Sequence, residues 1–345
     1  MRRAVSWGRY PFGASQTLEV YKRNRVQELN KLYLHITFDC PLRCGHCYAS
    51  GGETDMPEMP ADAALGVISD AQKALFRSVV VTGGEPLVHG GIDALLTGLK
   101  AIDLKGMRLI LRTSLGIPIG DERLKAICET FPEIVVSVDG DEASHDKRRG
   151  AGRYVQAVAN LERIRDMGFI NRVSVCATLS KAKREGPEGQ AVTALCERLG
   201  IANIRFRSVL PLGRAEGATP DEGFTCMDEG EKSRPFRPRF SCGLGQNLYV
   251  EPDGGAYPCY AWCGPDKRLG NVLSDGLATV LDSAGFRELS RHDVDANEKC
   301  RVCEVRYLCG GMCKAWVSDK RNIDGGDFDC AARKAAFEYL AGLLK

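Results

Sequence analysis

Leu32, Leu34, Ile36 and Phe38 alternate with Tyr33, His35 and Thr37. This is the period-two pattern of a strand with one face buried. Ser78–Thr82, Met107–Thr113, Glu133–Asp139, Arg172–Leu179 and Asn203–Ser208 are the next five strand candidates. Between these strands Ala61–Phe76, Ile92–Ile102, Asp121–Glu129, Tyr154–Met167 and Ala191–Leu199 space their apolar residues as helices do. Gly168 and Gly200 follow the last two, where a helix C-cap favours glycine. Six β–α alternations argue for an α/β fold with a parallel sheet and right-handed crossovers. The pattern leaves open a doubly wound sheet or a full or partial barrel. Either way, ligands belong beyond the carboxyl ends of the strands.

After about residue 215 the texture changes. Loops rich in Gly, Pro and Arg, such as Ser233–Arg239, replace the alternation, and cysteines accumulate. A second module held by metal rather than by an apolar core is expected there. The chain closes on a helix-like stretch, Ala331–Leu344. The expected division is a basic arm over 1–31, an α/β core over 32–215 and the cysteine-rich module over 216–345.

The 345 residues are 44% apolar, enough for a real core, and their formal charge is +2. That balance implies no bulk attraction to nucleic acid or membrane. The arm is locally basic: Arg2, Arg3, Arg9, Lys22, Arg23, Arg25 and Lys31 stand against Glu19 and Glu28. It is either a solvated arm or a docking surface for an acidic peptide. No apolar run of signal-peptide length follows Arg2-Arg3, and none approaches the roughly 18 residues of a membrane span. A cytoplasmic location is expected.

Fifteen cysteines are many for a cytosolic enzyme, and a chain neither small nor marked for secretion does not call for a disulfide framework. Metal or cluster ligation explains them better. Cys128, Cys176 and Cys196 sit in apolar strand or helix contexts and read as small buried hydrophobes. The rest, Cys226 apart, fall into two groups.

The first group is Cys40-Pro-Leu-Arg-Cys44-Gly-His-Cys47, directly after the first strand. Three thiolates on one loop are one short of a closed site, and a [4Fe–4S] cluster held this way keeps one iron open to a ligand. A zinc knuckle is the plainer alternative, but zinc loops favour a close cysteine pair matched with a distant second pair. One unit later, Gly83-Gly84-Glu85-Pro86 ends the second strand. Its glycines permit close backbone approach to a ligand, and its carboxylate suits an ammonium. Ser137-Val-Asp139-Gly140, with His145-Asp146 and Arg149-Gly150, follows the fourth strand. The last group spaces Cys242, Cys259, Cys300, Cys303, Cys309, Cys313 and Cys330, with Cys263 alongside.

Together these motifs resemble the radical S-adenosylmethionine (SAM) superfamily, and the seven downstream cysteines resemble its SPASM domain. His46 departs from the aromatic residue often found beside the last cysteine of the loop. The resemblance implies a partial (β/α)6 TIM-like barrel with a C-terminal SPASM domain. Cys40, Cys44 and Cys47 would hold the SAM-cleaving [4Fe–4S] cluster and count as catalytic. Gly83, Gly84, Glu85 and Pro86 would bind the SAM amino group, and Ser137, Asp139 and Arg149 its carboxylate and ribose. Thr113 and Ser114 would line the same pocket, and Arg205–Ala215 resembles the sixth-strand segment of the subgroup. Two auxiliary [4Fe–4S] clusters are implied. Cys242, Cys259 and Cys313 would hold one, completed by Cys226, by Cys263 or by an open site. Cys300, Cys303, Cys309 and Cys330 would hold the other.

The implied activity is that of an oxidoreductase-type peptide maturase. A 5′-deoxyadenosyl radical would modify a ribosomally made precursor peptide by crosslinking, epimerisation or backbone excision. A flavodoxin or ferredoxin would supply the electron, and leader binding would fall to the basic arm or to a separate leader-binding protein. The alternatives are an anaerobic sulfatase maturase making formylglycine and a non-catalytic iron–sulfur scaffold. Tyr260 stands where the sulfatase maturases carry an aspartate, and the intact Cys40/Cys44/Cys47 and Glu85 argue against the scaffold.

Overall fold

The computed structural model describes residues 29–53, 55–217, 242–291, 294–303 and 306–311. Six strands follow the expected alternation: β1 (Lys31–His35), β2 (Ser78–Thr82), β3 (Arg108–Thr113), β4 (Glu133–Ser137), β5 (Val173–Thr178) and β6 (Asn203–Arg207). The intervening helices are α1 (Ala61–Lys73), α2 (Ile92–Ala101), α3 (Asp121–Thr130), α4 (Glu142–Arg149), α5 (Arg153–Asp166), α6 (Lys181–Glu185) and α7 (Pro187–Leu199). Four of them bury one stripe at the i, i+3, i+4, i+7 spacing of an amphipathic helix. The stripes are Ala64, Val67, Ile68 and Ala71 in α1; Ile92, Leu95, Leu96 and Leu99 in α2; Ala157, Asn160, Leu161 and Ile164 in α5; and Val192, Leu195, Cys196 and Leu199 in α7.

Strand order decides between the two architectures left open by the pattern. The sheet runs β6-β5-β4-β3-β2-β1 without reversal, and every one of these pairings is parallel. A doubly wound sheet reverses at a switch point, whereas unreversed order is the winding of a barrel. The fold is a partial barrel of six parallel strands joined by helical crossovers.

The alternation along each strand separates two faces. Leu32 and Leu34, Val79 and Val81, Leu109 and Leu111, Ile134 and Val136, and Val173 and Val175 join the helix stripes in one core. On the other face Val80, Ile110 and Val135 form a small separate cluster, with Tyr33 and Cys176 packed against it. Cys128 and Cys196 are buried in the main core as expected, but Cys176 is half-buried and turned to the inner face.

The last third adds to this sheet rather than forming loops alone. The strands β7 (Asn247–Val250), β8 (Gly255–Tyr257) and β9 (Gly270–Asn271) extend it beyond β1. β7 runs parallel to β1, with Lys31 opposite Asn247 and Leu34 opposite Val250; β8 and β9 return antiparallel. Four short helices follow, α8 (Leu277–Asp282), α9 (Ala284–Arg291), α10 (Glu298–Arg301) and α11 (Arg306–Cys309). No helix among the described residues is long and apolar enough to cross a membrane. The helix-like stretch Ala331–Leu344 and the basic arm up to residue 28 lie outside the described residues.

Candidate active site

The loop that follows β1 carries Cys40, Cys44 and Cys47 into one cavity at the carboxyl ends of the strands. Cys44 is buried and the other two are half-buried. The loop is pinned through its carbonyls. Arg43 Nη1 donates to Cys40 O at 2.6 Å and its Nη2 to Gly52 O at 3.0 Å. Arg214, from the segment after β6, donates Nε to Cys44 O at 2.8 Å and Nη1 to Gly51 O at 3.1 Å. Its own N–H reaches Cys47 O at 3.0 Å. Gly213 makes that approach possible, because a Cβ there would lie 2.5 Å from Cys47 O. Burial pushes the Cys40 thiol up to about 11, so ligation there must displace a proton.

The three thiols suit a [4Fe–4S] cluster in number and kind.

Gly83 and Gly84 serve a closer contact than the sequence suggested. A Cβ at Gly83 would lie 2.2 Å from Thr37 O, and one at Gly84 would lie 2.3 Å from Asp39 O. The β2 end thus lies directly on the backbone leading into the cysteine loop: Gly84 donates to Thr37 O and Glu85 N to Asp39 O, both at 2.8 Å. Glu85 is 1% exposed and accepts four hydrogen bonds. Leu87 N and Thr113 Oγ1 donate to Oε1 at 3.2 and 2.7 Å. Ser114 N and Oγ donate to Oε2 at 2.8 and 2.6 Å. Thr113 and Ser114 therefore line the cavity and at the same time lock the Glu85 carboxylate to the β3 end. Behind them the buried Asn160 of α5 donates to Leu115 O at 2.8 Å and Ile117 O at 2.9 Å. It holds Leu115 in a left-handed turn at φ 50°, a conformation costly for a branched side chain. Pro86 follows, buried at the first position of a short 3-10 turn capped by Glu85.

Ser137 and Arg149 also face the cavity, whereas Asp139 lies behind Arg149. Asp139 is fully buried. It accepts from Arg149 Nε at 2.6 Å and Thr178 N at 2.7 Å. Burial alone would raise its carboxyl, but Arg149, His46 and these hydrogen bonds hold it below its ordinary value. Arg149 then spans to the cysteine loop, with Nη1 4.0 Å from Cys44 Sγ and Nη2 donating to His46 Nε2 at 3.2 Å. Burial, seconded by Arg149, lowers His46 to about 4 and so keeps it neutral.

Two further residues, Arg112 and Tyr260, enter the cavity from β3 and from the last third of the chain. The Tyr260 ring lies 5.2 Å from Tyr48 and 6.4 Å from Tyr33. Tyr48 follows Cys47 and Tyr260 follows Cys259 in sequence, so the two cysteine groups are joined by packed tyrosines. Around Cys259, Leu244, Trp262 and Leu289 form a small core, with Cys242 and Cys259 packed against it. Cys263 donates to Cys259 O at 3.2 Å. Cys300 and Cys303 share one turn, in which Cys303 N donates to Cys300 O at 2.8 Å. Asn297 Oδ1 caps that turn by accepting from Cys300 N. Cys309 ends α11. Cys226, Cys313 and Cys330 lie outside the described residues. Arg112 and Asn160 carry no local pattern, and Arg214, inside the family-like segment Arg205–Ala215, shows none of its clamping role, because each acts through a neighbour distant along the chain.

Comparison with known proteins places two family models on the chain. The radical SAM superfamily model matches residues 34–181, and a SPASM model, an iron–sulfur cluster-binding domain, matches residues 242–304. The mycofactocin maturase MftC of Mycolicibacterium smegmatis is 26% identical over 86% of this chain and 81% of its own. The AdoMet-dependent heme synthase of Nitratidesulfovibrio vulgaris is 29% identical over 81% of this chain and 86% of its own. Among solved structures, Streptococcus suis SuiB bound to its precursor peptide SuiA superposes with a TM-score of 0.68. It covers 92% of this chain and 79% of SuiB at 16% identity.

Proposed function

Because the chain belongs to the radical SAM superfamily and carries a SPASM-type module, we propose that it modifies a ribosomally made precursor peptide at an unactivated carbon. Its cofactors are SAM, a [4Fe–4S] cluster and auxiliary iron–sulfur clusters. When bound and reduced, the cluster held by Cys40, Cys44 and Cys47 would supply the electron for reductive cleavage of SAM, and with it radical chemistry able to take a hydrogen atom from the substrate.

The remaining work falls to the protein's side chains. Cys40, Cys44 and Cys47 hold the cluster on a loop that Arg43 and Arg214 keep closed. Gly83, Gly84, Glu85 and Pro86, with Thr113 and Ser114, form the wall against the SAM amino group. Ser137 and Arg149 hold its carboxylate and ribose, and Asp139 acts by fixing Arg149. The fully ligated Glu85 and the Asp139-bound Arg149 cannot swing, so the cofactor is oriented by groups set in place before it binds. Cys242, Cys259 and Cys313 serve one auxiliary cluster, and Cys300, Cys303, Cys309 and Cys330 the other, within a module over about 216–345 that follows a core over 32–215. A flavodoxin- or ferredoxin-type donor in the cytoplasm and a leader-binding partner complete the assignment.

The observation that carries the reading is the convergence of three thiols, the locked Glu85 and Arg149 on one cavity at the strand ends. The experiment is anaerobic reconstitution with iron, sulfide, SAM and dithionite. Formation of 5′-deoxyadenosine supports the reading, and its absence sinks it. Mass spectrometry of a co-expressed short peptide encoded beside the gene then identifies the bond made.

A further inference from the structure

The side chains facing the cavity are unbalanced in charge. Among the described residues Arg112, Arg149, Arg207 and Arg214 line it, against Glu85 as the carboxylate. Arg149 is paired with Asp139, Arg214 with Glu53, and Arg207 is engaged as well. Glu85 accepts from Thr113, Ser114 and Leu87 and pairs with no arginine among the described residues. Arg112 has no hydrogen-bond or ion-pair partner among the described residues, and its guanidinium lies over the Tyr33 ring at 5.4 Å. His35 adds no charge of its own: it is fully buried and burial, then Arg112, lowers it to about 3, so it is neutral.

The cofactors do not supply the missing negative charge. A [4Fe–4S]2+ cluster on three thiolates carries one net negative charge, and SAM one net positive charge, so the two cancel. A guanidinium half-buried on the inner face of the barrel and stacked on one tyrosine is a fork waiting for a planar anion.

We propose that Arg112 is a substrate-binding residue that receives a carboxylate of the modified molecule, an acidic side chain or a C-terminus of the peptide. This rests on the reading that substrate enters the same cavity as SAM. Tyr48 and Tyr260 line the cavity, Tyr33 packs against the Arg112 guanidinium, and the guanidinium edge is the charged contact that fixes which carbon faces the cofactor. The specificity of the enzyme follows: it acts beside a carboxylate and rejects the corresponding amide.

The test is a ligand-observed NMR titration of the reconstituted full-length protein with SAM bound, using N-acetylglutamate and N-acetylglutamine as probes. The wild type is expected to bind the acid about tenfold or more tightly than the amide. Arg112→Gln is expected to bring the two together, and Arg112→Lys to retain part of the preference. Equal affinities in the wild type overturn the proposal, as does a preference that survives Arg112→Gln, or no binding of the acid up to about 10 mM, a limit near 3 kcal/mol. A fall in SAM affinity in Arg112→Gln also overturns it, since the carboxylate would then be the cofactor's own. The underlying reading is judged apart: a wild type that makes no 5′-deoxyadenosine sinks that reading, whereas one that makes it without preferring the acid sinks the Arg112 assignment alone.

Discussion

Replacing Arg214 by alanine removes a clamp whose strength follows from its partners. Its bonds to Cys44 O and Gly51 O, at 2.8 and 3.1 Å, come from a charged donor, and such bonds contribute about 1.5–3 kcal/mol each. Water will refill part of that loss at a half-buried loop, so the lower end applies to each. The third arm, to Glu53, ends on a side chain 45% exposed and adds about 0.5 kcal/mol or less. The sum, about 3 kcal/mol, is a factor of about 150 in the equilibrium between closed and open cysteine loop. Because the loss is local, it should appear as easier opening rather than as global unfolding. The assay is iron release from the reconstituted protein to an excess of a chelator, followed by absorbance. Arg214→Ala should release loop iron up to about a hundredfold faster while far-UV circular dichroism holds. Arg214→Lys should fall between, since an ammonium can reach one carbonyl but not two. An unchanged release rate in Arg214→Ala would refute the claim that this side chain keeps the loop closed.

Three other outcomes are expected. Gly84→Ala should destabilise the protein by about 3 kcal/mol, because its Cβ would collide with Asp39 O, itself backbone that cannot turn aside; the thermal midpoint reports this. Asp139→Asn should cost about 3–5 kcal/mol by leaving the Arg149 cation buried without its counter-charge, and Asp139→Asn with Arg149→Met should cost less than Asp139→Asn alone, a cycle read by thermal melts. His35, held near 3 by burial, refuses a proton that the unfolded chain accepts below about pH 6.5. Stability should therefore be intact above that pH and fall by about 1.4 kcal/mol per unit on the acid side until about pH 3. His35→Gln should flatten that contribution in thermal midpoints compared between pH 7 and 5.5, and an equally steep loss in the variant would refute it.

The alternation of apolar residues made the six parallel strands and their helices legible, because one face of each strand had to meet a helix stripe. The strand ends were less so. Leu32–Phe38 looks continuous in sequence, yet regular pairing stops at His35, and beyond it Gly84 N and Glu85 N donate to Thr37 O and Asp39 O where the chain turns into the cysteine loop. Helix α4 escaped notice since it buries only His145 and Arg149, a pair that leaves no apolar period. The cysteine, glycine–glutamate and serine–aspartate motifs could be read from spacing. Their internal division of labour could not: that Asp139 acts through Arg149, and Glu85 through Thr113 and Ser114, depends on contacts between residues 10–29 positions apart, at strand ends and at the end of α4. The short strands β7–β9 carry too few residues for any period to declare itself.

The pairing of β7 with β1 also bears on how the chain folds. Lys31–Leu34 finds one neighbour in β2, roughly fifty residues on, but its other neighbour, Asn247–Val250, is made roughly two hundred residues later. Contacts of such sequence separation form slowly. During synthesis the six-unit core can assemble first, and it then carries the strand beside its cysteine loop as a bare edge, open to pairing with another chain. Arrival of β7 closes that edge and brings Tyr260 in against Tyr48, so the last step of sheet assembly is also the one that completes the wall of the cavity.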